Sequence, residues 1–131
     1  MTRGRKSTTG VDAAGKIAKR RGTVMRFCPE NGTDINFVIR NFSRIVFVRV
    51  KRTPLMRCKP QDIEAGFPEE ITSLRSIQEA AHCIVCELWT YSKNGTWRFF
   101  RLEGNGLVEI DVEGTPMKTT GHGKRYAGKK S

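Results

Sequence analysis

The chain has 131 residues, of which 37% are hydrophobic, and this suffices for one domain with a modest core. No segment approaches the roughly 18 consecutive apolar residues that a membrane-spanning helix needs, and the N-terminus lacks the apolar core of a signal peptide. These features predict a cytoplasmic protein without a membrane span, whose four cysteines are reduced thiols.

The net charge of +11 belongs mainly to the two ends of the chain. Residues 1–26 carry eight Lys or Arg against one acid, residues 114–131 carry five against none, and the middle of the chain sums to −1. Basic ends favour a polyanionic partner, and nucleic acid before a membrane surface because no amphipathic apolar face accompanies the charge. The alternative is that the basic ends only aid solubility.

The first predicted elements are an arm, a helix and a strand. Residues 1–9 are predicted to form a flexible basic arm. Over residues 11–22 apolar residues recur at helical spacing, Lys and Arg fill the last turns and a glycine ends the segment, which is typical of an amphipathic helix. Residues 23–28 are strand formers, and a loop over 29–32 follows them.

A β-hairpin is predicted next. Two segments rich in β-branched and aromatic residues, 34–40 and 44–52, flank a plausible tight turn. Antiparallel pairing about that turn sets Asp34 opposite Val50 or Lys51. A carboxylate and an ammonium group are therefore expected to meet at one end of an otherwise apolar hairpin.

The rest of the chain is predicted to hold a second helix and three more strands. The predicted segments are a connection over 53–68, a helix over 69–81, strands over 84–91 and 96–102, and a last strand over 107–110. The folded domain is expected to span residues 10–113, followed by a flexible basic tail over 114–131.

This element order, together with the hairpin, resembles the PD-(D/E)XK superfamily of restriction endonuclease-like nucleases, nearest its archaeal Holliday junction resolvase-like branch. The family's Asp corresponds to Asp34, which follows Thr33. Its acid-x-Lys triplet corresponds to Arg49-Val50-Lys51. The resemblance covers about residues 9–102. It implies an α/β fold whose mixed β-sheet is flanked by helices, in the order helix, three strands, helix, strands, and it adds weight to a homodimer.

The resemblance also implies roles for individual residues. Asp34 would be a catalytic residue that ligates Mg²⁺, and Lys51 would orient or activate the attacking water. Arg49 stands where the family has its second acid, and a guanidinium only donates hydrogen bonds, so it repels a cation. Because residues 49 and 51 point the same way on a strand, two cations beside one carboxylate favour a phosphate site before a magnesium site.

Some members of the family supply the second acid from the helix that follows the third strand. Glu79 is the best-placed substitute in this chain, and Asp62, Glu69 and Glu70 are weaker choices. Asp12 on the first helix resembles an auxiliary acid of the resolvase-like branch. Each of these acids is also an ordinary candidate for a solvated helix-face charge.

The sequence thus predicts a nucleic-acid-binding protein of restriction endonuclease-like fold, a degenerate or inactive nuclease that acts on DNA. Its predicted nucleic-acid contacts are Arg3, Arg5, Lys6, Lys19, Arg20, Arg21, Arg49 and Arg52. One alternative is an active Mg²⁺-dependent, junction resolvase-like endonuclease with a migrated acid, with Asp34, Lys51 and Glu79 in the catalytic roles. A further alternative is a non-catalytic RNA-binding accessory protein.

Cys83 and Cys86 have the CxxC spacing of a zinc knuckle, and Cys28 and Cys58 would complete four thiolates. The residues between positions 83 and 86 are β-branched and favour an extended chain, which puts the two thiols on opposite faces. A core position for Cys86 is therefore preferred over a metal site.

Aromatic residues crowd the hairpin of the second half. They are Trp89, Tyr91, Trp97, Phe99 and Phe100. They could stack on unpaired bases. Packing in the core is favoured, because both strands belong to a sheet whose faces must be covered.

Overall fold

The computed structural model describes residues 9–27, 35–41, 44–54, 59–80, 82–104, 106–117 and 126–127. Several predicted features fall on other residues of the chain. Six predicted site residues lie outside the described residues: Asp34, Arg3, Arg5, Lys6, Cys28 and Cys58.

The described residues form three helices and seven strands. The helices are α1 (Thr9–Ala18), α2 (Pro60–Gly66) and α3 (Pro68–Gln78). The strands are β1 (Thr23–Arg26), β2 (Phe37–Arg40), β3 (Ile45–Arg52), β4 (Ile84–Tyr91), β5 (Thr96–Glu103), β6 (Gly106–Ile110) and β7 (Tyr126–Ala127). Within these segments no helix is both long and apolar enough to cross a membrane.

The strands build one mixed sheet in the order β1-β2-β3-β4-β5-β6, and β7 pairs with β5. β3 and β4 run parallel, and every other pair is antiparallel. A parallel pair needs a crossover, and α2 with α3 supplies it between β3 and β4. The order of one helix, three strands, a helical crossover and a parallel fourth strand confirms the predicted α/β fold class, a mixed sheet flanked by helices.

α1 covers one face of the sheet. Ala14 and Ile17 of this helix belong to a buried cluster with Val48, Trp89 and Phe99. The rings of Trp89 and Phe99 meet edge to face with their centroids 4.8 Å apart, a favourable aromatic geometry. The expectation that the aromatic residues pack in the core is confirmed for these two.

α2 and α3 cover the opposite face. Ile63 of α2 and Leu74 of α3 are fully buried in a second cluster with Val38, Leu88 and Phe100. Strands β2 to β6 contribute to both clusters because successive side chains of a strand point to opposite faces. The sheet is therefore buried on both sides in its centre.

The prediction that residues 53–68 only connect was wrong for α2. Pro60 occupies the first turn of this helix, where its missing N–H is not needed and its fixed φ suits the helix. The Asp62 carboxylate accepts a hydrogen bond of 3.1 Å from the backbone N–H of Lys59, which completes the helix start. Ile63 anchors the helix in the core.

The chain after residue 113 continues to contact the domain. The Gly114 carbonyl accepts a hydrogen bond of 2.8 Å from Arg101 Nη2, and the Met117 N–H donates one of 2.9 Å to the Glu109 carbonyl. β7 pairs with the start of β5. Residues 114–117 and 126–127, which the sequence assigned to a tail, thus lie against the sheet.

Candidate nucleic-acid interface

The described register of β2 and β3 agrees with the predicted hairpin. Phe37 lies opposite Val48. At the open end of the hairpin, the Asn36 N–H donates to the Val48 carbonyl at 2.9 Å, and the Asn36 side-chain oxygen accepts from the Val50 N–H at 2.6 Å. Asn36 thus replaces a strand-to-strand hydrogen bond beside Lys51. The sequence interpretation missed this role, although Asn side chains commonly bond to nearby backbone at strand ends.

Lys51 lies near the end of β3 on the face covered by α3. Its Nζ is 3.3 Å from Glu70 Oε2, and the two side chains are 30% and 18% exposed. Glu70 lies in the first turn of α3, which Pro68 begins. Lys51 is therefore already paired with a carboxylate, and that carboxylate is one of the weaker sequence candidates.

A polar row crosses the sheet beside Lys51. Lys51 is the register partner of Thr90, and Thr90 is the partner of Arg98. Thr90 is fully buried, and its hydroxyl finds no hydrogen-bond partner among the described residues. Arg98 donates two hydrogen bonds, of 3.0 and 2.8 Å, to the carboxylate of Glu109. The carboxylates near this row are thus held by cations.

Arg49 lies on β3 two residues before Lys51 and on the same face. Two cations therefore stand where the resemblance requires an acid and a lysine. The described residues include no group of three His, Cys, Asp or Glu side chains that could hold a metal ion. Asp34, the predicted Mg²⁺ ligand, lies outside the described residues, and Glu70 is the described carboxylate that contacts Lys51.

Glu79, the sequence candidate for a migrated acid, is exposed just past the last turn of α3. It lies nine residues after Glu70, which corresponds to about 13 Å along a helix. With Arg44 and His82 it lines a cavity of about 580 Å³ at the opposite end of the sheet. The structure does not bring Glu79 to Lys51.

Arg21, one of the predicted nucleic-acid contacts, is an internal residue. Its guanidinium donates two hydrogen bonds of 2.9 Å to the carboxylate of Glu87, which is fully buried. Arg101 donates to the same carboxylate at 3.1 and 3.3 Å, and Trp89 Nε1 donates at 2.9 Å. The turn that follows α1 returns the chain over the sheet and thereby buries Arg21. We call Arg21, Glu87 and Arg101 the Glu87 triad.

Burial alone would raise the pKa of Glu87, because it disfavours the charged form. Hydrogen bonds and positive charge from Arg21, the Trp89 N–H and the charge of Arg101 outweigh burial and lower the pKa below its ordinary value. The triad escaped the sequence interpretation because its members lie far apart along the chain. The only signal was a Glu in a strand that is otherwise uncharged.

The two thiols of the CxxC sequence differ in exposure to solvent. Cys83 is exposed and Cys86 is buried. Burial, together with the neighbouring Glu87 charge, raises the pKa of the Cys86 thiol to about 12. Cys86 is thus a core residue, as predicted, and not an activated thiolate.

Both ends of the described chain attach where β3 ends. Gly10 of α1 packs so closely on Tyr91 that a side chain at position 10 would overlap the Tyr91 ring. Tyr91 is the register partner of Arg52 on one side and of Trp97 on the other, and Trp97 also pairs with Tyr126 of β7. We call this edge of the sheet the β3 carboxyl end. The start of α1 and strand β7 therefore both lie at this end.

No protein-family model matches the chain, and no curated protein sequence is significantly similar to it. Among solved structures the chain is similar to Hjc, a Holliday junction resolvase from the archaeal hyperthermophile Archaeoglobus fulgidus, with a TM-score of 0.48 and 13% sequence identity. The similarity covers 80% of this chain and 85% of that chain. The fold assignment rests on the strand order described above and not on this comparison.

Proposed function

We propose that the protein binds nucleic acid, DNA in preference to RNA, at the β3 carboxyl end, and that it is a degenerate nuclease that does not cleave. The observation that carries this proposal is that α1 begins, and β7 lies, at the same edge of the sheet as Lys51 and Arg52, and the two basic segments adjoin these elements in sequence. Charges that are far apart along the chain are thereby tethered to one edge of the sheet.

The segments before α1 and after residue 117 contain eight cations and no acid. They are Arg3, Arg5, Lys6, Lys118, Lys124, Arg125, Lys129 and Lys130. Cations gathered in this way suit the phosphate backbone, because each neutralised phosphate releases condensed counterions. Contacts to phosphate position a protein without reading bases, so we expect weak sequence specificity.

The charges at Arg49 and Lys51 support the second half of the proposal. The Lys51 ammonium is neutralised by Glu70 at 3.3 Å, and Arg49 adds a cation where a divalent ion would need an oxygen ligand. A guanidinium instead suits a phosphate oxygen, to which it donates charge-assisted hydrogen bonds. The cation at position 49 therefore supports a site that holds a phosphate rather than one that activates water.

A nuclease assay with two variants tests this proposal. We expect the wild-type protein to bind duplex DNA and to show no Mg²⁺- or Mn²⁺-dependent cleavage of linear, branched or single-stranded DNA. Arg49→Glu should create metal binding that is measurable by calorimetry, because a carboxylate removes the repelling charge and adds oxygen ligands. Arg52→Glu is the matched control, because it makes the same charge change at an exposed residue three positions further along the chain.

Strong wild-type cleavage would contradict the assignment as an inactive nuclease. Equal metal binding by Arg49→Glu and Arg52→Glu would show that the charge at position 49 is not what excludes the ion. A protein that binds neither duplex DNA nor RNA at low salt would contradict the whole proposal.

The second candidate function is an active endonuclease whose acid comes from the crossover helices. The contact between Glu70 and Lys51 favours it, because it sets a helix carboxylate beside the lysine. Under this alternative, Glu70→Gln abolishes cleavage, whereas Glu79→Gln leaves cleavage unchanged. The homodimer and the cytoplasmic location stay predictions, and light scattering of the purified chain checks the first of them.

A further inference from the structure

A second basic surface lies at the opposite end of the sheet from Lys51. Four exposed cations belong to it: Lys19, Arg20, Arg40 and Arg44. The backbone brings them together, because a Cβ at Gly22, just past α1, would lie 2.5 Å from the Arg40 carbonyl oxygen. We call these four residues the hairpin-end patch.

The β2–β3 hairpin completes this patch. Arg40 is the register partner of Ile45, and the Asn41 N–H donates a hydrogen bond of 3.2 Å to the Arg44 carbonyl. Arg40 and Arg44 therefore flank the same turn. Paired backbones of antiparallel strands lie only about 5 Å apart, so the backbones of Arg40 and Arg44 lie close together at this turn.

The charge of the patch is largely uncompensated. Lys19, Arg40 and Arg44 form no ion pair with a described residue. Arg20 lies 3.9 Å from Glu113, with both side chains more than half exposed, and such surface pairs contribute little. The acids Glu79 and Glu103 line the same cavity as Arg44.

α1 connects the patch with the β3 carboxyl end. The helix starts at the Tyr91 contact and ends at the turn that packs on Arg40. Its outward face carries the exposed Lys16, while Ala14 and Ile17 face the core. In the first turn of α1 the exposed Asp12 is paired with Arg26 at 2.8 Å, and the guanidinium of Arg26 offsets the negative charge of Asp12.

We propose that the hairpin-end patch is a second phosphate-binding surface, and that one duplex lies along α1 and contacts the β3 carboxyl end and the patch together. This inference rests on the proposed function and extends it. Arg44 and Arg52 are separated by the length of β3, about 26 Å at the usual rise of a strand. With 3.4 Å between successive phosphates of a strand, a duplex must exceed about 8 base pairs to reach both surfaces.

The test compares a long and a short duplex by fluorescence anisotropy across a series of salt concentrations. The probes are a linear duplex of about 20 base pairs and a hairpin stem of about 6 base pairs, one longer and one shorter than the calculated reach. The variant is Arg40→Glu/Arg44→Glu. The control is Gln61→Glu/Ala65→Glu/Thr72→Glu/Ser76→Glu, which lowers the net charge by the same four units at exposed residues of α2 and α3, outside the patch and α1. Thermal unfolding should be alike for all three proteins, because the changed residues are exposed.

We expect the Arg40→Glu/Arg44→Glu variant to lose about tenfold or more in affinity for the long duplex, with a log-log salt slope smaller by about 2. Its affinity for the short stem should stay within about threefold of the wild-type value, because the short stem is held at the β3 carboxyl end alone. The control should lose far less on the long duplex.

Equal losses on both probes, a loss no larger than that of the control, or no loss at all would each overturn the second surface. A variant that keeps full duplex affinity but no longer binds anionic lipid vesicles would assign the patch to a different partner and overturn it as well. Failure of the wild-type protein to bind either probe would instead contradict the proposed function.

Discussion

A carboxylate at the centre of the sheet is bound by two arginines. Glu87 is fully buried, and the side chains of Arg21 and Arg101 that reach it are 8% and 13% exposed. The Glu87 triad joins three separate parts of the chain, because Arg21 follows α1 and Arg101 also holds the Gly114 carbonyl. It therefore fixes both the turn after α1 and the segment after β6 to the sheet.

We expect Glu87→Gln to destabilise the protein by about 3–5 kcal/mol, because it leaves two buried guanidinium groups without their negative partner. The measurement is the free energy of unfolding in urea. Glu113→Gln is the control, since Glu113 is 64% exposed and should change the stability by less than about 0.5 kcal/mol. Similar values for the two variants would show that the triad adds nothing to stability.

The same residue predicts a dependence on pH. A carboxyl group whose pKa is lowered in the folded state stabilises the fold above its unfolded pKa, about 4.3, and loses this contribution as the pH falls through the folded pKa. The wild-type free energy of unfolding should therefore fall below about pH 4. The difference between wild type and Glu87→Gln should shrink over the same range, and a constant difference would contradict the lowered pKa.

At the scale of elements, two glycines of α1 allow a matched comparison. A Cβ at Gly10 would overlap the Tyr91 ring, which stacks on Trp97 with centroids 5.0 Å apart, whereas a Cβ at Gly15 would meet nothing within 4 Å. We expect Gly15→Ala to stabilise the protein by about 0.5–1 kcal/mol, because glycine is costly inside a helix. Gly10→Ala should destabilise it, because either the helix or the Tyr91 ring must move.

Thermal unfolding of the two variants checks this prediction, and the sign of each change is what decides it. Stabilisation by both substitutions would show that the start of α1 does not depend on close contact with Tyr91. That result would also weaken the placement of the basic arm at the β3 carboxyl end.

The sequence predicted the long strands well and the crossover poorly. β4 was predicted with its observed bounds, and β3, β5 and β6 within one residue, because runs of β-branched and aromatic residues end at clear turn signals. α2 was missed because a helix of seven residues with one buried anchor, Ile63, shows no periodicity.

The sequence placed Lys51 and Arg49 on one face and favoured Glu79 as the helix acid near them, whereas Glu70 is the acid that contacts Lys51. That choice depends on the direction in which α3 crosses the sheet. Its first turn lies beside Lys51, and its last residue, Gln78, bonds to the backbone near the start of β4, at Cys86. Helical spacing reveals which residues share a face but not which end of the helix meets a given strand. The preference for Glu79 over Glu70 was therefore made without knowledge of which end of α3 lies beside Lys51.

At the scale of the whole molecule, the eight cations of the two terminal segments should dominate the affinity for nucleic acid. We expect the full-length chain with all eight changed to Gln to bind duplex DNA more weakly and with a shallower salt dependence. Each lost phosphate contact removes about 0.9 from the log-log slope. Exchange of Lys and Arg at the same eight positions keeps the charge and is the control.

Unchanged affinity of the Gln variant would remove the terminal segments from the interface. Equal losses in the Gln variant and in the charge-preserving control would point to a shape-specific contact rather than to charge.

The parallel pairing of β3 with β4 has a consequence for how the chain folds. β1 to β3 and β4 to β6 are two antiparallel meanders formed by near neighbours in sequence, whereas Ile45 and its partner Ile84 are 39 residues apart. The entropic cost of closing that long loop must be overcome before the contacts between β3 and β4 stabilise the fold. We call these β3–β4 contacts the seam between the two meanders. We expect the seam to form in the rate-limiting step, so Leu88→Ala should slow refolding in stopped-flow experiments, whereas Leu107→Ala should mainly speed unfolding. The two halves of the sheet then behave as preformed blocks, and the rate of folding is the rate at which they find each other.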